Sequence, residues 1–168
     1  LVGSVWGGRY HMDGKEYTLG QHGFARDCDF KIMEDTPDDE AWFVLEADEH
    51  TLELYPRRFR LEVGYSLQGE RLTVMWRVEN RGSREMDFHI GAHPAFNYPD
   101  FNPSDSVHGY FLFDRKELDS RVIADKGCIG DEVVDIELDS ERMLPLTAST
   151  FDRDALIIDK GRVRRVSH

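Results

Sequence analysis

The clearest periodicity along the chain lies at residues 59–80. In FRLEVGYSLQ, Phe59, Leu61, Val63, Tyr65 and Leu67 alternate with polar positions, and after Gly69-Glu70 the alternation resumes through Leu72, Val74, Trp76 and Val78 of RLTVMWRVEN. A period of two on both sides of a two-residue turn predicts an antiparallel hairpin with one buried face. Trp76 falls on that face.

Shorter stretches with strand patterning recur at 16–19, 24–33, 41–47, 51–55, 85–90, 109–114, 133–138, 155–159 and 163–167. They are separated by turn-forming sequences: DGKE at 13–16, DTPDDE at 35–40, NRGS at 80–83 and YPDFNPSDS at 98–106. No window of about a dozen residues carries the apolar stripe of an amphipathic helix, and no repeat is present. The expected class is therefore all-β, with antiparallel twisted sheets arranged as a sandwich or a large double sheet rather than a propeller.

Composition narrows the setting. A chain of 168 residues with 40% hydrophobic content can bury a core and is expected to form one domain, 1–168. Its formal net charge of −12 is spread along the chain, which argues against nucleic acid or an anionic membrane as partner. The two cysteines, Cys28 and Cys128, are far apart, so neither a disulfide framework nor a paired-cysteine zinc site is expected, and a reducing cytoplasm is the expected location. No apolar run approaches the ~20 residues that cross a bilayer, and the start has no signal-peptide pattern. Both ends are abrupt: LVGSV has mid-strand composition, and RVRRVSH reads as an interrupted strand. The expectation is a portion of a longer protein, lacking strands on both sides.

Two histidine segments carry the candidate chemistry. In EMDFHIGAHPAFN, Met86, Phe88 and Ile90 alternate with Asp87 and His89, and Gly91 and Pro94 then interrupt the strand around His93. His22 lies between Gly20-Gln21 and Gly23, with Phe24 and Arg26 following. Both histidines are expected at strand entries, where a bend aims a side chain into a cleft. Histidine is the natural proton carrier near neutral pH, with an unperturbed pKa of ~6.5. Together with Arg26 and Asn97, the pair suits a polyhydroxylated ligand, which planar polar groups and aromatic faces recognise. Taken singly, a histidine there fits better as a strand-end hydrogen-bonding group; the pair together shifts the balance toward a ligand site.

These same segments, HGFARD at 22–27 and GAHPAFN at 91–97, resemble the aldose 1-epimerase (galactose mutarotase) superfamily, and within it the LacX-like bacterial proteins. The resemblance runs from Leu1 to about Val166. It implies a β-supersandwich with an aldose in an open cleft, and interconversion of its α and β anomers by acid/base ring opening and reclosure. Carried onto this chain, His93 is the general acid and His22 binds and polarises the sugar oxygens. Arg9 and Arg26 fall where sugar-contacting or cleft-ordering residues occur, and Asp152 matches a sugar-binding aspartate, with Asp154 as the neighbouring alternative. No cofactor or metal is implied, and the partner is a small-molecule aldohexose. The family's catalytic glutamate belongs to a C-terminal strand for which the chain has no counterpart up to Val166; Glu132 and Glu137 lie in polar stretches with the pattern of solvated faces.

Three other readings follow from particular residues. Arg57, Arg58 and Arg60 supply a basic cluster that a hexose-6-phosphate 1-epimerase of the same fold would need. Loss of the glutamate points instead to a sugar-binding module without turnover. A cupin-like metal site at His89 and His93 is disfavoured by Pro94 and by the lack of a suitably spaced carboxylate.

Overall fold

The computed structural model describes residues 3–98, 101–123, 127–158, 163 and 165–167. The chain divides into two compact units, Leu1–Ala92 and His93–His168.

The first unit opens with a hairpin of β1 (Arg9–Met12) and β2 (Lys15–Thr18), whose register pairs Met12 with Lys15. Asp13 and Gly14 make the turn with φ of 51° and 75°, the double left-handed conformation that an Asp-Gly pair tolerates best. A four-stranded antiparallel sheet follows, in the order β3 (Lys31–Ile32), β4 (Glu40–Glu46), β5 (Phe59–Gln68) and β6 (Arg71–Asn80). The long hairpin forms as expected: β5 and β6 pair from Phe59–Asn80 to Gln68–Arg71, around a turn in which Gly69 has a φ of 61°.

The burial of that hairpin differs from the expectation. Its apolar face is covered only near one end, where Leu45 and Phe59 are buried; toward the turn, Tyr65, Leu67, Leu72 and Trp76 are exposed, Trp76 by 43%. The opposite face carries the tighter packing. Glu62, 3% exposed, accepts hydrogen bonds from Arg60 Nε at 2.7 Å and Arg77 Nη1 at 2.6 Å. Trp42 lies against the bare backbone of Gly64 with the Arg77 guanidinium 5.2 Å from its ring centroid. Period-two patterning identified which residues share a face, but a lid of arginine and tryptophan made the polar face the drier one.

Residues 51–55, expected as a strand, belong instead to α1 (Glu49–Leu54) and its C-cap Tyr55. The Thr51 amide donates to Asp48 Oδ1 and the Asp48 amide to Thr51 Oγ1, each at 2.8 Å. This reciprocal cap satisfies two amides that would otherwise lack partners and decides the segment for helix. The expected strand at 24–33 reduces to a 3-10 turn at Ala25–Asp27 and the two residues of β3. The strand expected at 85–90 is absent: no regular element occurs at 81–98.

The second unit contains two three-stranded antiparallel sheets. In one, β7 (Tyr110–Phe113) is central between β10 (Met143–Pro145) and β12 (Val166–Ser167). In the other, β8 (Leu118–Ile123) is central between β9 (Ile129–Ile136) and β11 (Ile157–Ile158). Among the described residues of this unit, Phe113 of β7 and Leu118 of β8 are the buried apolar ones, 3% and 5% exposed. The expected strands at 155–159 and 163–167 end in or include positions outside the described residues, namely 159 and 164; Leu1 and Val2 of LVGSV also lie outside them. Among the described residues, no helix is long and apolar enough to cross a membrane.

Candidate functional site

Three of the six candidate residues, Arg9, His22 and Arg26, belong to the first unit, and His93, Asn97 and Asp152 to the second.

His22 sits in the connection after β2 with a φ of 67°, not at a strand entry; the next strand begins at Lys31. Its place is fixed by a reciprocal pair of bonds with Gly3: the His22 amide donates to the Gly3 carbonyl at 2.8 Å, and the Gly3 amide donates to His22 Nδ1 at 3.1 Å. Because Nδ1 is an acceptor, the neutral ring carries its proton on Nε2. A half-buried imidazole in that tautomer can donate to a ligand oxygen. Two residues on, Phe24 packs on Tyr55 and Phe59 with centroids 6.1 and 5.8 Å away. This aromatic cluster roots the HGF segment in the sheet.

The two arginines are engaged locally. Arg9 Nη1 meets Glu16 Oε1 at 3.2 Å across the β1–β2 hairpin, and Arg26 Nε lies 3.7 Å from Asp27 Oδ1. Both side chains are more than half exposed, so each pairing is one that a ligand could displace at little cost.

In the second unit, His93 and Asn97 lie exposed on a segment without regular structure, and Phe96 between them is 85% exposed. His93 is thus not at a strand entry; β7 begins only at Tyr110. Asp152 is exposed within consecutive turns, its amide donating to the Ser149 carbonyl at 3.2 Å, and Asp154 has a φ of 77°. Glu132 is held by Arg153 at 2.8 Å. His108 packs on Phe101 at 4.8 Å, with its Nδ1 buried and unpaired.

The basic cluster expected at 57–60 is mostly committed to carboxylates. Arg57, its side chain 11% exposed, forks onto Asp13 at 2.8 and 3.3 Å, and Arg60 bonds Glu46 and Glu62. These guanidiniums hold the Asp13 and Glu62 carboxyls below the usual carboxylate range, Asp13 chiefly through Arg57 and Glu62 chiefly through Arg60. A surface cleft of about 510 Å³ is lined by Glu46, Ala47, Arg58, Phe59, Arg60 and Arg81, and none of the six candidates borders it. Among the described residues, no group of three or more His, Cys, Asp or Glu could hold a metal ion.

Residues 2–112, which include both histidine motifs, match the family described as aldose 1-epimerase. The chain belongs to that family. It is 29% identical over 155 residues to the plasmid and chromosomal LacX proteins of Lactococcus lactis subsp. lactis, covering 89% of this chain and 50% of each relative. A solved galactose mutarotase related enzyme from Lactobacillus acidophilus is 29% identical with a TM-score of 0.80, over 93% of this chain and 51% of that one. A galactose mutarotase-like protein from Lactobacillus casei is 27% identical with a TM-score of 0.68, over 87% and 50%. This epimerase-family chain therefore spans about half the length of the curated relatives it matches, and its antiparallel sheets follow the β-sandwich of the mutarotase-like structures.

Network residues outside the two motifs mostly escaped the sequence reading: Tyr10, Asp13, Tyr55 and Arg84 were given no role in it, and Arg57 entered it only as part of a basic cluster. The signal for the network itself was the Asp-Gly turn at 13–14. Its partners are 44 and 71 residues away, and no local pattern reports such pairing.

Proposed function

We propose that the chain carries the histidine part of an aldose 1-epimerase site, interconverting the α and β anomers of an aldohexose. The observation that carries this reading is that the family match spans both HGFARD and GAHPAFN. In the reaction, a carboxylate takes the proton of the C1 hydroxyl, the C1–O5 bond breaks, and His93 delivers a proton to O5. Rotation about C1–C2 and reclosure from the other face return both protons and give the other anomer. His22, with its proton on Nε2, donates to a sugar oxygen; Arg9, Arg26, Asn97 and Asp152 bond the hydroxyls. Arg57 and Arg60, already bound to carboxylates, disfavour a phosphorylated substrate.

The test is the optical rotation of freshly dissolved α-D-galactose with and without the protein. With the complete protein, acceleration over the spontaneous rate is expected, and His93→Asn should lower it by about 10²-fold or more while leaving the fold intact, as loss of a general acid does. Unchanged turnover in His93→Asn removes His93 from the reaction. Glu132 and Glu137, the acids considered within the chain, lie in polar stretches with the pattern of solvated faces, which favours a second reading, sugar binding without turnover. Saturable galactose binding with no gain in rate would select that reading.

A further inference from the structure

The segment that leads into the second histidine motif has no sheet partner, yet it is not left loose at its start. Tyr55 and Arg57, two residues apart, bond the carbonyls of residues that are also two apart: the Tyr55 hydroxyl donates to the Asp87 carbonyl, and Arg57 Nε donates to the Glu85 carbonyl at 2.8 Å. An i, i+2 spacing on both sides is the spacing of a strand ladder, here built from side chains on one side. Asn80 Nδ2 adds a bond to the Arg84 carbonyl at 2.7 Å, and Arg84 reaches Asp13 Oδ2 at 2.7 Å, the carboxylate that Arg57 already grips.

The same tyrosine touches the first motif. The Tyr55 ring packs on Phe24, two residues after His22, at 6.1 Å with an interplanar angle of 28°, and on Phe59 at 6.3 Å. One side chain therefore contacts the HGF segment through its ring and the entry to the second motif through its hydroxyl. Burial raises the Tyr55 phenol above its ordinary value, so it remains a donor throughout the physiological range.

We propose that Tyr55 and Arg57 are positioning residues of the epimerase site, registering residues 85–87 against the HGF motif so that the chain carrying His89 and His93 starts from a fixed point. The inference rests on the epimerase reading proposed above. Neither residue touches substrate; both act through the backbone that bears a histidine. A side-chain clamp suits this segment because two bonds to carbonyls fix its origin without committing the downstream residues to a ladder.

Tyr55→Phe is the decisive variant, because it keeps the ring against Phe24 and removes only the bond to Asp87. Thr36→Val is its control: the Thr36 hydroxyl also donates to a backbone carbonyl, that of Glu40 at 3.3 Å, in the connection between β3 and β4. Two readouts on the whole protein separate the possibilities. In anomerisation of galactose, Tyr55→Phe should lower kcat about tenfold with KM changed less than twofold, while Thr36→Val changes kcat less than twofold. In carbon–proton correlation spectra of the imidazoles, Tyr55→Phe should move the His89 and His93 resonances, and Thr36→Val should leave them in place. Equal effects of the two variants on kcat, or histidine resonances unmoved by Tyr55→Phe, would overturn the proposal. If the wild-type protein shows no turnover, the epimerase reading fails, and the resonances alone decide whether the clamp positions the segment.

Discussion

Trp42 covers Gly64 so closely that a Cβ built on the glycine would lie 2.5 Å from the indole ring, in an extended strand where the backbone itself would accept any residue. The contact is therefore steric, and Gly64→Ala should destabilise the protein by about 1–3 kcal/mol through displacement of Trp42. Urea unfolding measures it, and combining Gly64→Ala with Trp42→Leu should recover much of the loss; an additive double variant would show that the ring is not the obstacle. Under the same lid, Glu62 presents both oxygens to Arg60 and Arg77. Its carboxyl is held below the value it has in the unfolded chain, so around pH 3–4 the unfolded state binds more protons than the folded one. The stability Glu62 contributes is thus complete above its unfolded pKa of ~4.3 and is lost as pH falls through the lower folded value. Unfolding midpoints measured from pH 6 down to pH 2 should start lower and fall less steeply in Glu62→Gln, and parallel curves would exclude Glu62 as a source of the acid sensitivity. None of this was legible in the alternation of residues 59–80, which marks Glu62 as polar and Trp76 as inward. The segments around His22 and His93 were legible as family strings, and the family match covers both, whereas Glu62 owes its burial to side chains that include one from a different strand.

Among the elements, the β5–β6 hairpin was readable to the residue because everything that determines it is local: a two-residue turn with glycine first, and matched alternation on both sides. The helix α1 was not, since Thr51, Leu52, Glu53, Leu54 and Tyr55 alternate like a strand and six residues are too few to show a helical stripe. The cap decides it, and it is testable. Asp48→Ala removes the acceptor for the Thr51 amide and should cost about 1 kcal/mol, read as a lower unfolding midpoint, whereas Asp48→Asn should lose much less because an amide oxygen can still accept. Equal losses in the two variants would mean that the charge, not the hydrogen bond, stabilises this end. The segment at 85–90 failed in the opposite way: its alternation is strand-like, but a strand needs a neighbour, and the carbonyls of Glu85 and Asp87 are taken by arginine and tyrosine side chains. Its residue pattern was legible; its partners, contributed from more than 25 residues away, were not.

At the scale of the whole molecule, a net charge of −12 and a row of uncovered apolar side chains act against each other. Across the four-stranded sheet, Ile32, Phe43, Val63 and Trp76 pair in one row, Ala41, Tyr65 and Val74 in the next, and Leu67 with Leu72 in the last. All lie on one face, none is charged, and Ile32, Leu67 and Leu72 are each more than half exposed. Exposed apolar surface of this kind associates unless charge keeps copies apart. The sequence pI is about 4.9, so repulsion fades as pH falls toward it, while β6, the edge of the sheet among the described residues, offers backbone to a second copy. Light scattering at fixed protein concentration should therefore rise between pH 7 and pH 5, and high salt at pH 7 should produce a smaller rise by screening the same repulsion. Leu72→Lys places a cation in the exposed row and should suppress the rise at both conditions, although it brings the net charge nearer to zero. That sign separates the face from the charge: if loss of net repulsion alone drives association, Leu72→Lys should scatter more than the wild type, and if the apolar row is the contact, it should scatter less.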